Sequence, residues 1–343
     1  TMHAPEARWY STREDAHARC RLCPRACLIP DGASGACRVR KNEGGRLYAL
    51  TWGRFPALAI DPIEKKPLYH FFPGSDTLSL GSLGCNMHCL HCQNVSLSEP
   101  DIFALAHIEQ TKTMQPEFIA PFARQHSVPT VVWTYNEPLV NAEYLVSALP
   151  LVQQAGLATV LVTAGLASPE PLGEILPHLD AWRVDIKGWG NEFYQRLTGF
   201  PGWKTVLGNS LLAKEAGCHI EVVTNIIDGW NDSPDDLAAI ARWIARELGP
   251  ETPWHVTASH PAAQLREIQP TPPATIILAR AIGLEAGLMH VYCGNVAIPD
   301  GGDTRCPTCG AILIRRRGFA VLENRLTGSA ACPDCGRRIM GRF

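Results

Sequence analysis

At 343 residues the chain is long enough for one large domain, or two to three smaller units, around a real apolar core. A net charge of −2 gives no global field that would draw nucleic acid or an anionic membrane. No run of eighteen apolar residues reads as a membrane span, and the charged opening TMHAPEARWYSTRED does not read as an export signal, so a cytoplasmic protein with no membrane partner is expected.

Thirteen cysteines in a long chain of this kind point to metal rather than to a disulfide scaffold. The first group lies in ARCRLCPRACLIPDGASGACRVR, where Cys20, Cys23, Cys27 and Cys37 follow C-x2-C-x3-C-x9-C. Four thiolates can close a tetrahedral zinc site that folds a small unit, or carry an auxiliary iron–sulfur cluster with no iron left open; both readings stand. Arg46 to Ile60 has the alternation of two short strands around Gly53. Asp61 to Gly74, DPIEKKPLYHFFPG, is punctuated by proline and reads as a connector laid on the next domain, with Lys65 and Lys66 in solvent and Tyr69 and His70 packed in a core.

From Thr77 onward, short apolar runs alternate with helical stretches. Strands are predicted at Thr77–Leu83, Thr130–Thr134, Ala158–Thr163, Ala181–Ile186, His219–Ile226 and Trp254–Thr257, with an edge strand at His290–Tyr292. Helices are predicted at Glu117–Gln125, Glu143–Ala155, Pro169–Leu179, Trp203–Ala216 and Pro234–Leu248. That alternation argues for an α/β fold, a partial (β/α)6 barrel with chemistry at the carboxyl ends of its strands. Small cysteine-rich metal-binding units flank it, so the expected boundaries are 1–75, 76–295 and 296–343.

The first barrel strand runs into TLSLGSLGCNMHCLHCQN, with Cys85, Cys89 and Cys92 at C-x3-C-x2-C. Three thiolates can hold three irons of a cubane and leave the fourth open, and an open position is the mark of a reactive site. A zinc knuckle is the plainer alternative. At the other strand ends, Asn136 and Glu137 precede a proline and a helix, so Glu137 reads either as an acceptor for a ligand ammonium or as a helix cap. Period two puts Asp185 and Lys187 on one face of a strand. Asn225 lies in a turn-rich strand end, and His260 follows the sixth strand. The tail carries Cys306-Pro-Thr-Cys309 and Cys332-Pro-Asp-Cys335, two knuckles that read as a structural zinc ribbon. Eight arginines against Glu323 and Asp334 make residues 304–343 locally +6, a surface for an acidic protein or RNA, or simply solvated arginine. Cys218 and Cys293 stand alone and read as small buried hydrophobes.

At the cysteine triad the chain resembles the radical S-adenosylmethionine (SAM) superfamily. The resemblance implies a [4Fe–4S] cluster on Cys85, Cys89 and Cys92 whose open iron chelates SAM. It also implies reductive cleavage to a 5′-deoxyadenosyl radical, hydrogen abstraction from a substrate, and a reducing donor such as flavodoxin or ferredoxin. By the same resemblance His91 and Gln93 lie at the cofactor, Asn136 and Glu137 stand where the family carries a glycine-glycine-glutamate stretch, and Asp185, Lys187, Asn225 and His260 position SAM. Aspartate-x-lysine is similar to the activating enzymes of glycyl radical proteins; Thr163-Ala164-Gly165 departs from their threonine-asparagine-glycine. LCPRACLIPDG, DPIEKKPLYHFFPG, GCNMHCLHCQN, WTYNEP, VYCGN and the paired knuckles together resemble the radical SAM member of the AmmeMemoRadiSam system, related to pyruvate formate-lyase activating enzymes. Ala258-Ser259-His260-Pro261 departs from that group's arginine-aromatic-proline. The expectation is a radical SAM enzyme, with a glycyl radical activase acting on a partner protein as one alternative. A non-catalytic zinc-binding protein or nucleic-acid adaptor is the alternative of another class.

Overall fold

Seven runs rich in valine and leucine are buried on both faces, which is the condition for a parallel sheet covered by helices. In the computed structural model, which describes residues 4–108 and 111–343, they form most of a single eight-stranded sheet. The strands are β1 (Ala57–Pro62), β2 (Asp76–Gly81), β3 (Thr130–Trp133), β4 (Ala158–Thr163), β5 (Ala181–Asp185), β6 (His219–Ile226), β7 (Trp254–Ala258) and β8 (Val291–Gly294), adjacent in chain order. All neighbours are parallel except β1, which pairs antiparallel with β2, Asp61 opposite Thr77. Helices Ala142–Gln154, Trp203–Glu215, Pro234–Trp243 and Pro273–Glu285 are among the crossovers.

The sheet curls. A flat sheet would hold the loop after β2 about 24 Å from the loop after β7, five steps of about 4.8 Å away. Yet Gln93 Nε2 donates to the His260 carbonyl at 2.9 Å, and the Leu90 carbonyl accepts from the backbone N–H of Gln264 and Leu265. The carboxyl ends of the strands are thus drawn around one space, as the partial barrel requires. Inside, Val132, Val160 and Val162 pack on Ile63, Leu68 and Phe71, so the connector plugs the barrel from its amino-terminal end.

The predicted strands and helices appear within a few residues of their expected limits. One strand pairs in a way its sequence does not announce: the second strand of Arg46–Ile60 leaves its neighbour and joins the main sheet as β1. The first strand, Arg46–Ala49, instead forms a hairpin with Arg40–Glu43. β1 is an edge strand with one face exposed, so its alternation carries no sign of which sheet it joins.

Both flanking units dock through buried charge. Arg40 of the hairpin makes a bidentate pair with Glu143 at the start of helix Ala142–Gln154, at 2.9 and 2.8 Å. At the other end, buried Arg316 of the C-terminal unit donates to the Tyr69 carbonyl at 2.8 Å and faces Glu64 at 3.3 Å, while Arg337 reaches Glu251 and Arg342 reaches Asp180. Part of the arginine excess in the tail therefore holds the ribbon to the barrel. No helix among the described residues is long and apolar enough to cross a membrane.

Candidate active site

The cysteine loop leaves β2 through a turn that only glycine allows without strain. Gly84 has φ +88°, and a Cβ there would meet the Cys37 carbonyl oxygen and Val39 at 2.6 Å. Asn136, just past β3, holds the turn: its Oδ1 accepts from the Ser82 N–H at 3.1 Å, and its Nδ2 donates to Ser82 Oγ at 3.0 Å and to the Gly84 carbonyl at 2.7 Å. Further along, the N–H groups of His88 and Leu90 donate to the carbonyls of Thr198 and Leu197.

Cys85, Cys89 and Cys92 all open onto one cavity of about 1170 Å³, counting its wide mouth. The opposite wall is made by the carboxyl ends of β3 to β6: Thr134 to Glu137, Thr163, Arg183, Asp185, Lys187 and Asn225. Among the described residues, one group of three or more metal-ligating side chains has its ligand atoms within 4.8 Å of one another, and it is the tail quartet Cys306, Cys309, Cys332 and Cys335. The triad thiols are more openly spaced than that group, which suits a cubane better than a single zinc ion, so the residues fit an iron–sulfur cluster with room beside it for a ligand. Burial pushes the Cys85 thiol well up and Cys89 to about 11, against the pull of the Lys187 ammonium on Cys89. Loading metal here must displace protons.

Glu137 lies on the cavity wall and is fully buried. Its Oε1 accepts from Thr163 Oγ1 at 2.7 Å and the Leu139 N–H at 3.0 Å, and its Oε2 from the Ala164 N–H at 2.7 Å. Burial raises its pKa to about 7 against these hydrogen bonds. Three of its roughly four acceptor positions are used, so the cap geometry is real and one lone pair of Oε2 remains. Asp185 pairs with Arg183 and, at 3.1 Å, with Lys187. Burial works to raise the Asp185 pKa, but the two cations bring it to about 2, while Lys187 is held above its ordinary value despite burial. Asn225 lines the cavity with Nδ2 donating to Thr257 and Ala258 and its buried Oδ1 without a partner. His91 is buried beside the triad with Nδ1 unpartnered, and Gln93 stands at the rim.

His260 differs. Its ring faces the Asn295 carbonyl at 3.2 Å, is exposed, and does not line the cavity.

Arg183 and Lys66 are among the cavity residues that escaped sequence reasoning. Arg183 sits two residues before Asp185 on the same face of β5, so period two would have found it. Lys66, expected in solvent, is in fact buried: it pairs with Asp61 at 2.7 Å and lies over the Tyr135 ring at 4.4 Å. Burial works against the Asp61 carboxylate, yet hydrogen bonds from Lys65, Lys66 and Tyr135 hold its pKa below the usual range. Half-exposed Lys65 joins the same cluster. Tyr69 and His70 are core residues as expected, and Cys218 and Cys293 are buried.

In the tail, Cys306 Sγ and Cys335 Sγ are 3.5 Å apart, and Cys309 Sγ and Cys332 Sγ 3.7 Å. Sulfurs around one tetrahedral zinc stand about 3.8 Å apart, given Zn–S of about 2.3 Å, so this group could hold a single ion.

A curled parallel sheet with a three-cysteine loop at the carboxyl end of its first parallel strand defines a class of cluster-bearing α/β protein, and comparison with known proteins gives the family. The sequence model of the radical SAM superfamily matches residues 80–244, so the chain carries a domain of that superfamily. It is 40% identical over 335 residues to an uncharacterized protein of Methanocaldococcus jannaschii, covering 97% of this chain and 98% of that one. Over 111 residues, 32% of this chain and 35% of the relative, it is 31% identical to the isethionate sulfite-lyase activating enzyme of Desulfovibrio desulfuricans. Among solved structures, Streptococcus suis SuiB bound to its precursor peptide SuiA superposes with a TM-score of 0.50 at 13% identity, covering 69% of this chain and 52% of SuiB, a likeness of fold.

Proposed function

We propose that the chain is an enzyme that cleaves SAM at a [4Fe–4S] cluster held by Cys85, Cys89 and Cys92. The observation that carries this is the single cavity shared by those three thiols and the polar ends of β3 to β6. When bound, reduced cluster and SAM supply a 5′-deoxyadenosyl radical for hydrogen abstraction from a substrate C–H bond. The chain's own residues bind and orient. The unpartnered Asn225 Oδ1 and the spare lone pair of Glu137 Oε2 are acceptors for an ammonium or ribose hydroxyl. Lys187, fixed by Asp185, offers a cation to a carboxylate. His91 and Gln93 flank the adenine side of the loop. His260 would serve the ribose only after its ring turns from Asn295.

The electron comes from a reducing donor of the flavodoxin or ferredoxin class, and the proposed place of work is the cytoplasm. The tail quartet holds structural zinc, and the first quartet a second metal or cluster. Similarity to an isethionate sulfite-lyase activating enzyme favours a finer reading, a glycyl radical activase acting on a partner protein. Anaerobically reconstituted, dithionite-reduced protein should make 5′-deoxyadenosine from SAM, and Cys89→Ala should abolish it. Turnover persisting in that variant would remove the assignment; a glycyl radical signal on a co-incubated partner would decide for the activase.

A further inference from the structure

The N-terminal cysteines have a geometry of their own. Cys20 ends the strand Ala18–Cys20, and its N–H donates to the Cys27 carbonyl at 2.9 Å. Cys23 begins the turn between them, closed by the Ala26 N–H on the Cys23 carbonyl, and Cys37 lies in the bend before Arg40–Glu43. Cys23 and Cys37 are fourteen positions apart in sequence, yet all four side chains line one small cavity together with Arg40 and Asn86. Four thiols converging from one hairpin and a second, separate turn are a built site, since chance burial would not bring all of them to one cavity.

Spacing decides what it holds. The tail quartet is drawn to zinc dimensions, with thiols 3.5 and 3.7 Å apart and all four ligand atoms within 4.8 Å. No three of the N-terminal thiols meet that limit, and the radical SAM triad does not either. A tetrahedral zinc needs its sulfurs about 3.8 Å apart; a cubane puts each thiolate on its own iron corner and spreads them further. The chain thus contains one contracted cysteine group and two open ones, and of the open ones only the first has four ligands.

Arg40 gives an independent observation. It is 1% exposed, both its terminal nitrogens are spent on Glu143, its buried Nε has no acceptor, and the residue lines the same cavity. A buried N–H without a partner is costly, and cluster or thiolate sulfur is the acceptor this position provides. The site also backs onto the triad loop, because the Cys37 carbonyl oxygen lies only 2.6 Å from where a Cβ on Gly84, the residue before Cys85, would stand.

We propose that Cys20, Cys23, Cys27 and Cys37 hold a second [4Fe–4S] cluster, ligated by protein sulfur at all four irons and set directly behind the loop of Cys85, Cys89 and Cys92. The cluster is closed to SAM, since no iron lacks a thiolate.

The test uses the full chain, purified anaerobically and reconstituted with iron and sulfide in the presence of zinc. Wild type should carry about eight irons. The triple variant Cys85→Ala/Cys89→Ala/Cys92→Ala leaves the quartet intact, so it is the deciding sample. It should keep about four irons and four sulfides and show, when reduced, a [4Fe–4S]+ electron paramagnetic resonance signal that SAM does not alter. A complementary Cys20→Ala/Cys23→Ala variant should keep about four irons with a signal that SAM shifts. A triple variant carrying no iron and about two zinc ions, one in each quartet, overturns the proposal. Failure of the proposed SAM chemistry would look different: the triple variant would match this expectation while SAM left every wild-type signal unchanged.

Discussion

Asn136 Nδ2 donates to the Gly84 carbonyl at 2.7 Å, so the end of β3 fixes the residue from which the cysteine loop departs. All three polar contacts of this buried amide go to Ser82 and Gly84. Its place in the proposed chemistry is therefore positioning rather than contact with SAM. Asn136→Ala leaves the Ser82 N–H and the Gly84 carbonyl unpaired in the interior, a loss of about 2 kcal/mol. The variant should unfold at lower denaturant and lose reconstituted iron faster to a chelator, with the KM for SAM nearly unchanged. A large rise in KM with normal iron retention would mean that the side chain binds the ligand instead.

Gly84 separates steric from conformational cost. Gly84→Ala meets the Cys37 carbonyl oxygen and Val39 at 2.6 Å in addition to its φ of +88°. Gly32→Ala has a similar φ of +77° with nothing within 4 Å. The second change should cost about 1 kcal/mol, while the first should cost several times more and lower iron content at both the quartet and the triad. Denaturation and iron analysis of the two variants check this; equal losses would show that the two loops do not share that contact.

The Arg40–Glu143 pair should behave as a unit. Both side chains are buried, so Glu143→Ala strands a guanidinium and should destabilise by about 3–5 kcal/mol. Arg40→Met/Glu143→Leu removes both charges and should recover most of that loss. A double-mutant cycle by chemical denaturation reads the coupling, and simple additivity would refute it.

What could be read from the chain was set by local chemistry. The parallel strands announce themselves as short, mostly apolar runs between helical stretches, and the cysteine spacings mark the three groups that the fold gathers. Asp185 and Lys187 follow from period two, and the same rule reaches Arg183. Lys66 could not be read, because its burial depends on Asp61 of β1 and on Tyr135 beyond β3, brought together only by the antiparallel edge. The ring of His260 is turned by Asn295, from a strand end far along the chain. The buried service of Arg316 to Glu64 and Tyr69 is likewise invisible in an arginine-rich tail.

Beneath the cavity, Glu221 accepts from the N–H groups of Tyr69 at 3.0 Å and His70 at 2.8 Å and from the rings of His219 at 2.9 Å and His255 at 2.6 Å. Burial holds His70 and His255 below the ordinary imidazole range and brings His290 to about 4. In the unfolded chain these rings take up a proton near pH 6.5, so below that pH the unfolded state binds more protons and stability falls. The full histidine contribution is present above about 6.5 and drains as pH drops toward 4, His290 alone accounting for roughly 3 kcal/mol. Glu221 has the depressed pKa of a hydrogen-bonded carboxylate, so its contribution survives that window and is lost only at lower pH, through its folded pKa. Denaturation midpoints at pH 8, 7, 6 and 5 should be flat at first and then fall. His290→Gln removes one buried imidazole without touching any cluster ligand, so its curve should fall less steeply than wild type; parallel curves would show that His290 does not contribute to the acid sensitivity.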